Sequence, residues 1–254
     1  MRMFRSSSDR KVAPYGRRRG KSPTGMSPLK NSFGLPAGKD YSCHGATEWC
    51  LSNCYAGKLE KLFPSVRKLL VHNWDVYVAN RESWLDLQNL LRPMIVEFRD
   101  ECVKRNVKPV FRWFWDGDIP NKNFAKAMRN LAYEFPYVRF WAYTRNFNVI
   151  GEVLGPENFT LYLSVDDGNM INALATKHRY PDVKLAFCAD TWDDTEVLAD
   201  KFSGERKGAR CPELTGKIPL VVWDKSDDRV GVGACVDCDM CISGVNNVRF
   251  ASSR

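Results

Sequence analysis

Residues 110–118 read Val-Phe-Arg-Trp-Phe-Trp-Asp-Gly-Asp, VFRWFWDGD. A run of β-branched and aromatic residues, interrupted by Arg112, suits a strand, and the acidic glycine turn ends it. Four more runs share this form: Val138–Thr144 (VRFWAYT), Phe159–Val165 (FTLYLSV), Val183–Cys188 (VKLAFC) and Ile218–Trp223 (IPLVVW). Helical spacing fills the intervals. Ser83-Trp-Leu-Asp86 resembles a capping box and leads into a stripe of Trp84, Leu87, Leu91, Met94, Ile95, Phe98 and Cys102. Pro93 interrupts that stripe, which predicts one kinked helix or two helices with Pro93 in a first turn. Phe124, Met128, Leu131 and Phe135 form a second stripe ended by Pro136, and weaker helical patterns cover 169–178 and 193–202. Strand alternating with helix predicts an α/β chain with a mostly parallel sheet.

The 254 residues can bury a large core, and 44% hydrophobic with 27% charged residues is the balance of a globular protein. No apolar run approaches the roughly 20 residues needed to span a bilayer. The first residues lack the apolar stretch of a secretory signal, so a cytoplasmic location is expected. Charge is unevenly spread. Residues 1–30 hold nine Lys/Arg and one Asp, whereas residues 31–254 hold 29 basic and 29 acidic residues. Residues 1–30 therefore read as a basic, flexible leader, suited to non-specific contact with nucleic acid or serving only as a solubilising tail. The domain boundaries expected are this leader, a single α/β domain over 31–245 and a tail over 246–254.

Polar residues close the strand candidates: Asp116 to Asp118, Thr144 to Asn146, Asp166 and Asp167, Asp190, and Asp224. The carboxyl ends of strands form the functional face of α/β sheets and barrels. Asp and Asn at these places also cap the helices that follow.

Nine cysteines in a chain without a secretory signal point to metal or redox chemistry rather than a disulfide framework. Cys102 continues a helical stripe and reads as core; Cys188 closes a strand, where burial is the default. The other seven form two groups. Cys235, Cys238 and Cys241 make a C-x2-C-x2-C run, and Cys211 beside Pro212 supplies a distant fourth thiol. That pattern matches an iron–sulfur run of the ferredoxin type, with structural zinc as the alternative. Cys43, Cys50 and Cys54 follow C-x6-C-x3-C, which is not a common zinc spacing. Three thiols leave one iron of a [4Fe–4S] cluster open to a substrate, a cofactor or another ligand. His44 is either that ligand or an exposed loop histidine. With only two other histidines, at 72 and 178, a histidine metal triad is not expected. Phosphate-loop and nucleophile-elbow motifs are absent.

Taken together, CHGATEWCLSNCYA at 43–56, the aromatic strand ending in DGD, the FWAYTR strand and CP…CVDCDMC resemble the gene product 88 family of actinobacteriophages. The arrangement is also similar to radical S-adenosylmethionine enzymes, in which three cysteines precede the first barrel helix. These resemblances imply a partial (β/α) barrel of about six strands, closed by cysteine-rich ends, in a phage protein of the host cytoplasm. They place Cys43, Cys50 and Cys54 at the cluster position. Gly117 and Asp118 fall where a glycine-acidic motif binds S-adenosylmethionine, with Arg145 and Asp166 completing the cofactor or substrate site. The spacing departs from C-x3-C-x2-C, and the motif has one glycine and an aspartate. Three functions follow: a cluster-dependent enzyme, a non-catalytic iron–sulfur protein that senses redox state or binds nucleic acid or a host partner, or a zinc-stabilised binding module. Oligomeric state is not legible.

Overall fold

In the computed structural model, which describes residues 2–13, 28–223 and 231–252, four helices precede the first strand. These are α1 (Glu48–Ser52), α2 (Tyr55–Leu62), α3 (Pro64–Asn80) and α4 (Trp84–Lys104). Strand and helix then alternate through β1 (Val110–Arg112), α5 (Lys122–Glu134), β2 (Arg139–Thr144), α6 (Ile150–Val153), β3 (Phe159–Val165), α7 (Met170–Arg179), β4 (Lys184–Ala189) and α8 (Trp192–Asp200). The chain continues with β5 (Ala209–Arg210), β6 (Val221–Trp223), β7 (Gly231–Gly233), α9 (Ala234–Cys238), α10 (Met240–Ser243) and β8 (Val248–Ala251). Six strands make one all-parallel sheet in the order β1-β2-β3-β4-β8-β5, curved into a half-barrel.

Side chains alternate across this sheet. Phe111, Phe140, Leu161, Leu163, Leu185 and Phe187 join the helices in the large core. Val110, Trp141, Tyr162, Ala186 and Val248 turn to the other face, which would be the interior of a closed barrel. The C-terminal cysteine segment covers that face. Thr160 Oγ1 donates to the Ile242 carbonyl at 2.9 Å, and Tyr162 Oη donates to Asn246 O at 2.9 Å. Arg139 donates to the carbonyls of Ile242 and Ser243.

Three expectations are corrected. Ile218–Trp223 contributes only Val221–Trp223, which pairs antiparallel with β7 outside the main sheet; Asp224 beyond it lies outside the described residues. The missing sheet positions are filled by β5 and by β8, so residues 248–251 are an internal strand rather than part of a tail. At four residues β8 is too short for an alternation signal, and its partners are remote in sequence. The leader is also structured over 2–13. Ser7 and Ser32 exchange backbone hydrogen bonds at 2.8 and 3.0 Å, and Phe4 and Val12 are buried. Residues 14–27, which carry much of the expected nucleic-acid contact, lie outside the described residues.

Pro93 proves compatible with one helix. It sits on the exposed side of α4, where the carbonyl one turn back can face water. β1 stops early because Phe114 takes φ +52°, a left-handed conformation that turns the chain out of the sheet. No helix among the described residues is long and apolar enough to cross a membrane.

The leader is tied to the sheet by an ion pair between Arg112 and Asp9 at 2.7 Å, with side-chain exposures of 10% and 12%. Removing one partner of a buried pair costs about 3–5 kcal/mol. Asp9→Ala is therefore expected to lower the melting temperature of the whole chain. An unchanged melting curve would show that the Asp9–Arg112 pair contributes nothing to stability.

Candidate functional site

The N-terminal cysteine segment lies across the carboxyl ends of the strands and uses up their polar residues. Thr47 caps α1 by accepting from Cys50 N at 3.1 Å and donates its own proton to Asp166 Oδ2 at 2.7 Å. Trp49 Nε1 donates to Asp190 at 2.9 Å, and Tyr55 Oη donates to the Trp115 carbonyl at 2.8 Å. Gly45 is obligatory, since a Cβ there would collide with the Arg145 carbonyl. The Arg145 guanidinium pairs with Asp166 and lies over the Trp49 ring at 5.8 Å.

Gly117 and Asp118 serve this docking. Gly117 has φ +76°, and a Cβ would sit 2.5 Å from the Leu35 carbonyl. Asp118 is buried and accepts from Thr144 Oγ1 at 2.6 Å, Ile119 N at 2.7 Å and Arg145 N at 2.8 Å. Its own N–H donates to Ser42 Oγ at 3.0 Å. These bonds weld the ends of β1 and β2 to the residue preceding Cys43.

Burial and then the Asp118 carboxylate push the Cys43 thiol up to about 12. Burial also raises Cys50, opposed by Arg145, and Cys50 feels the charge of Cys54. Cys188, pushed up to about 11 by burial, is within electrostatic reach of Cys50 and Arg145. His44 is exposed and makes no side-chain hydrogen bond among the described residues, while Cys102 is buried in the helical core far from both groups.

Three of the C-terminal four, Cys211, Cys235 and Cys241, pack on the barrel face, with Cys238 within electrostatic reach of Cys241. Cys235 and Cys241 pack with Trp141 and Tyr143; Cys211 and Cys241 pack with Tyr162. Burial pushes Cys235 and Cys241 up to about 12, opposed by Arg112 at the first and by a hydrogen bond from Tyr143 at the second. Cys241 also feels the charges of Cys211 and Cys238. The thiols thus face one another electrostatically, although among the described residues no three His, Cys, Asp or Glu side chains close to a metal-holding arrangement. Two donors here were not singled out from sequence: Arg112 Nε and Trp141 Nε1 are buried without an acceptor. The period-two pattern of VFR and RFWAYT, which sets Arg112, Trp141 and Tyr143 on one face, is the signal that could have found them.

Over residues 5–244 the chain matches the family described as Gene product 88, and it belongs to that family. It is 33% identical to the Gene 88 protein of Mycobacterium phage L5 over 259 aligned positions, covering 100% of both chains. Its identity to the Gene 88 protein of Mycobacterium phage D29 is 32%, again with both chains covered in full. No solved structure matches the chain.

Asp116, in the same turn, is 1% exposed, and among the described residues neither carboxylate oxygen has a well-formed hydrogen bond, the Gly117 N–H offsetting its burial only in part. Burial, with Glu60 nearby, pushes its pKa up to about 8 from 3.8. Between those values the unfolded chain is ionised at this position and the folded chain neutral. The Asp116 contribution to stability therefore falls as pH rises through that window and is flat above it. Asp116→Asn keeps the neutral shape. It is expected to stabilise the protein by at least about 1 kcal/mol more at pH 8 than at pH 5, measured by denaturant unfolding. Equal effects at both pH values would place the ionised form in the fold.

Proposed function

We propose that this chain binds a [4Fe–4S] cluster through Cys211, Cys235, Cys238 and Cys241. The observation that carries the reading is the pair of orphaned donors, Arg112 Nε and Trp141 Nε1, on the face where these thiols gather. A buried N–H without an acceptor is costly, and cluster sulfurs are acceptors. Four soft thiolates suit iron, and suit zinc equally by charge, so metal content decides between the two. Such a centre supplies one-electron transfer. The chain's own groups would steady it: the Tyr143 hydroxyl bonds to Cys241, and the Arg112 guanidinium offsets negative charge beside Cys235.

The finer reading of the N-terminal trio is a second cluster on Cys43, Cys50 and Cys54, with S-adenosylmethionine or substrate near Arg145 and Asp166. Support comes from the electrostatic proximity of these thiols and from their docking at the strand ends. Gly117 and Asp118 take a positioning role here, because protein groups already occupy three acceptor sites of the carboxylate.

Protein purified without oxygen is expected to be brown, with iron and acid-labile sulfide at about four each per centre. Replacing Cys235 and Cys241 by Ser should remove the C-terminal share, and Cys50→Ser should spare it. Stoichiometric zinc without sulfide would assign a zinc site instead. Colourless, metal-free protein overturns the proposal. For the second centre, reductant and S-adenosylmethionine should yield deoxyadenosine that Cys50→Ser abolishes.

A further inference from the structure

Beside the N-terminal cysteine segment, a half-open groove enclosing about 640 Å³ runs between the start of α5, the turn after β2 and helix α7, and the Lys122, Asn148, Asn172 and Arg179 side chains on its border are exposed. It stands at the carboxyl ends of β2 and β3, where parallel sheets present ligands, and its volume lies within the range of small-molecule sites.

Its lining is cationic. Lys122, Arg145 and Arg179 border it, with the ring of His44 beside them, against the single carboxylate of Glu152. Asp166 neutralises Arg145, but Lys122 and Arg179 have no carboxylate partner among the described residues. The Arg179 guanidinium lies over the Tyr180 ring at 5.4 Å. Two unpaired positive charges therefore border the space against one carboxylate, that of Glu152.

The walls are built rather than incidental. Asn146 Nδ2 donates to the Ile119 carbonyl at 2.9 Å, and Asn169 Nδ2 donates to Ser164 O at 3.0 Å. Gly151 lets the Tyr180 hydroxyl approach, since a Cβ there would lie 2.6 Å from it. The absence of a side chain at Gly45 lets the His44 turn lie on Arg145 as the opposite wall. Asn148 and Asn172 also line the space and make no side-chain hydrogen bond among the described residues. Their amides are available to hydroxyl or ring polar groups of a ligand.

We propose that this cavity binds a phosphorylated small molecule of nucleotide size, its phosphate drawn by Lys122 and Arg179 and its polar body by Asn148 and Asn172. The proposal stands on the cavity itself and does not require a metal in the protein.

Calorimetric titration of the full chain tests it, with AMP, inorganic pyrophosphate and adenosine as probes. Salt is kept at about 0.15 M so that general attraction to a basic chain is screened. Both phosphorylated probes are expected to bind, and adenosine to bind at least tenfold more weakly. Lys122→Glu with Arg179→Glu should weaken AMP binding at least tenfold while leaving the melting temperature unchanged. A control with the same change of charge, Lys104→Glu with Lys108→Glu at the amino end of the sheet, should bind as the parent does. AMP binding tighter than pyrophosphate supports the nucleotide-sized ligand, and pyrophosphate binding as tightly as AMP overturns the role given to Asn148 and Asn172. No binding of either anion, equal affinity for adenosine, or equal loss in the control overturns the site.

Discussion

A guanidinium buried on the barrel side of β1 sets the terms for much of this fold. Arg112 is 9% exposed and cannot be left unpaired without a cost of several kcal/mol. Its partners come from separate parts of the chain. Asp9 of the leader accepts at 2.7 Å, the hydroxyl of Tyr55 beside Cys54 accepts at 3.1 Å, and the Trp141 ring lies 5.1 Å beneath it. Cys235 lies within reach of its charge. One cation on a three-residue strand thus draws the leader and both cysteine segments to one side of the sheet. The leader then supports the C-terminal segment in turn, with Lys11 bonded to Glu213 at 2.9 Å and Gly233 packed against the backbone of Arg10 and Lys11.

At the strand ends the same logic runs through carboxylates. Asp118, Asp166 and Asp190 do not cap the succeeding helices; Asn121 and Thr191 do so for α5 and α8. The aspartates instead hold the N-terminal cysteine segment, each through at least one hydrogen bond to it or to the turn beneath it. An acidic rim that would be open in a bare sheet has become an internal joint. The cationic groove lies just outside this joint, where Asp166 neutralises Arg145 and, among the described residues, no carboxylate pairs with Arg179 or Lys122.

Much of this was legible in the residue pattern, and the failures have physical causes. β2, β3 and β4 stand within a residue of the apolar runs because a parallel strand buried on both faces needs such a run. The α4 stripe ran through Pro93 because that residue faces solvent. The two sulfur groups were visible from spacing alone. What escaped was non-local. Val248–Ala251 carries little periodic signal of its own and becomes a strand only between β4 and β5. The leader is polar in composition, yet Ser7, Asp9 and Asn31 form specific bonds that composition cannot reveal. The donors Arg112 and Trp141 read as ordinary strand residues, because nothing local shows that their own face of the sheet holds cysteines.

The place of β8 has a bearing on biosynthesis. Among the described residues β5 pairs only with β8, and β4 reaches β5 only through it. While the ribosome is still translating the cysteine-rich stretch, β4 must present an unpaired edge, and such edges invite association with other nascent chains. Insertion of β8 both seals that edge and draws α9 and α10 down over the barrel face. Strand β8 thus couples completion of the sheet to enclosure of the C-terminal thiols.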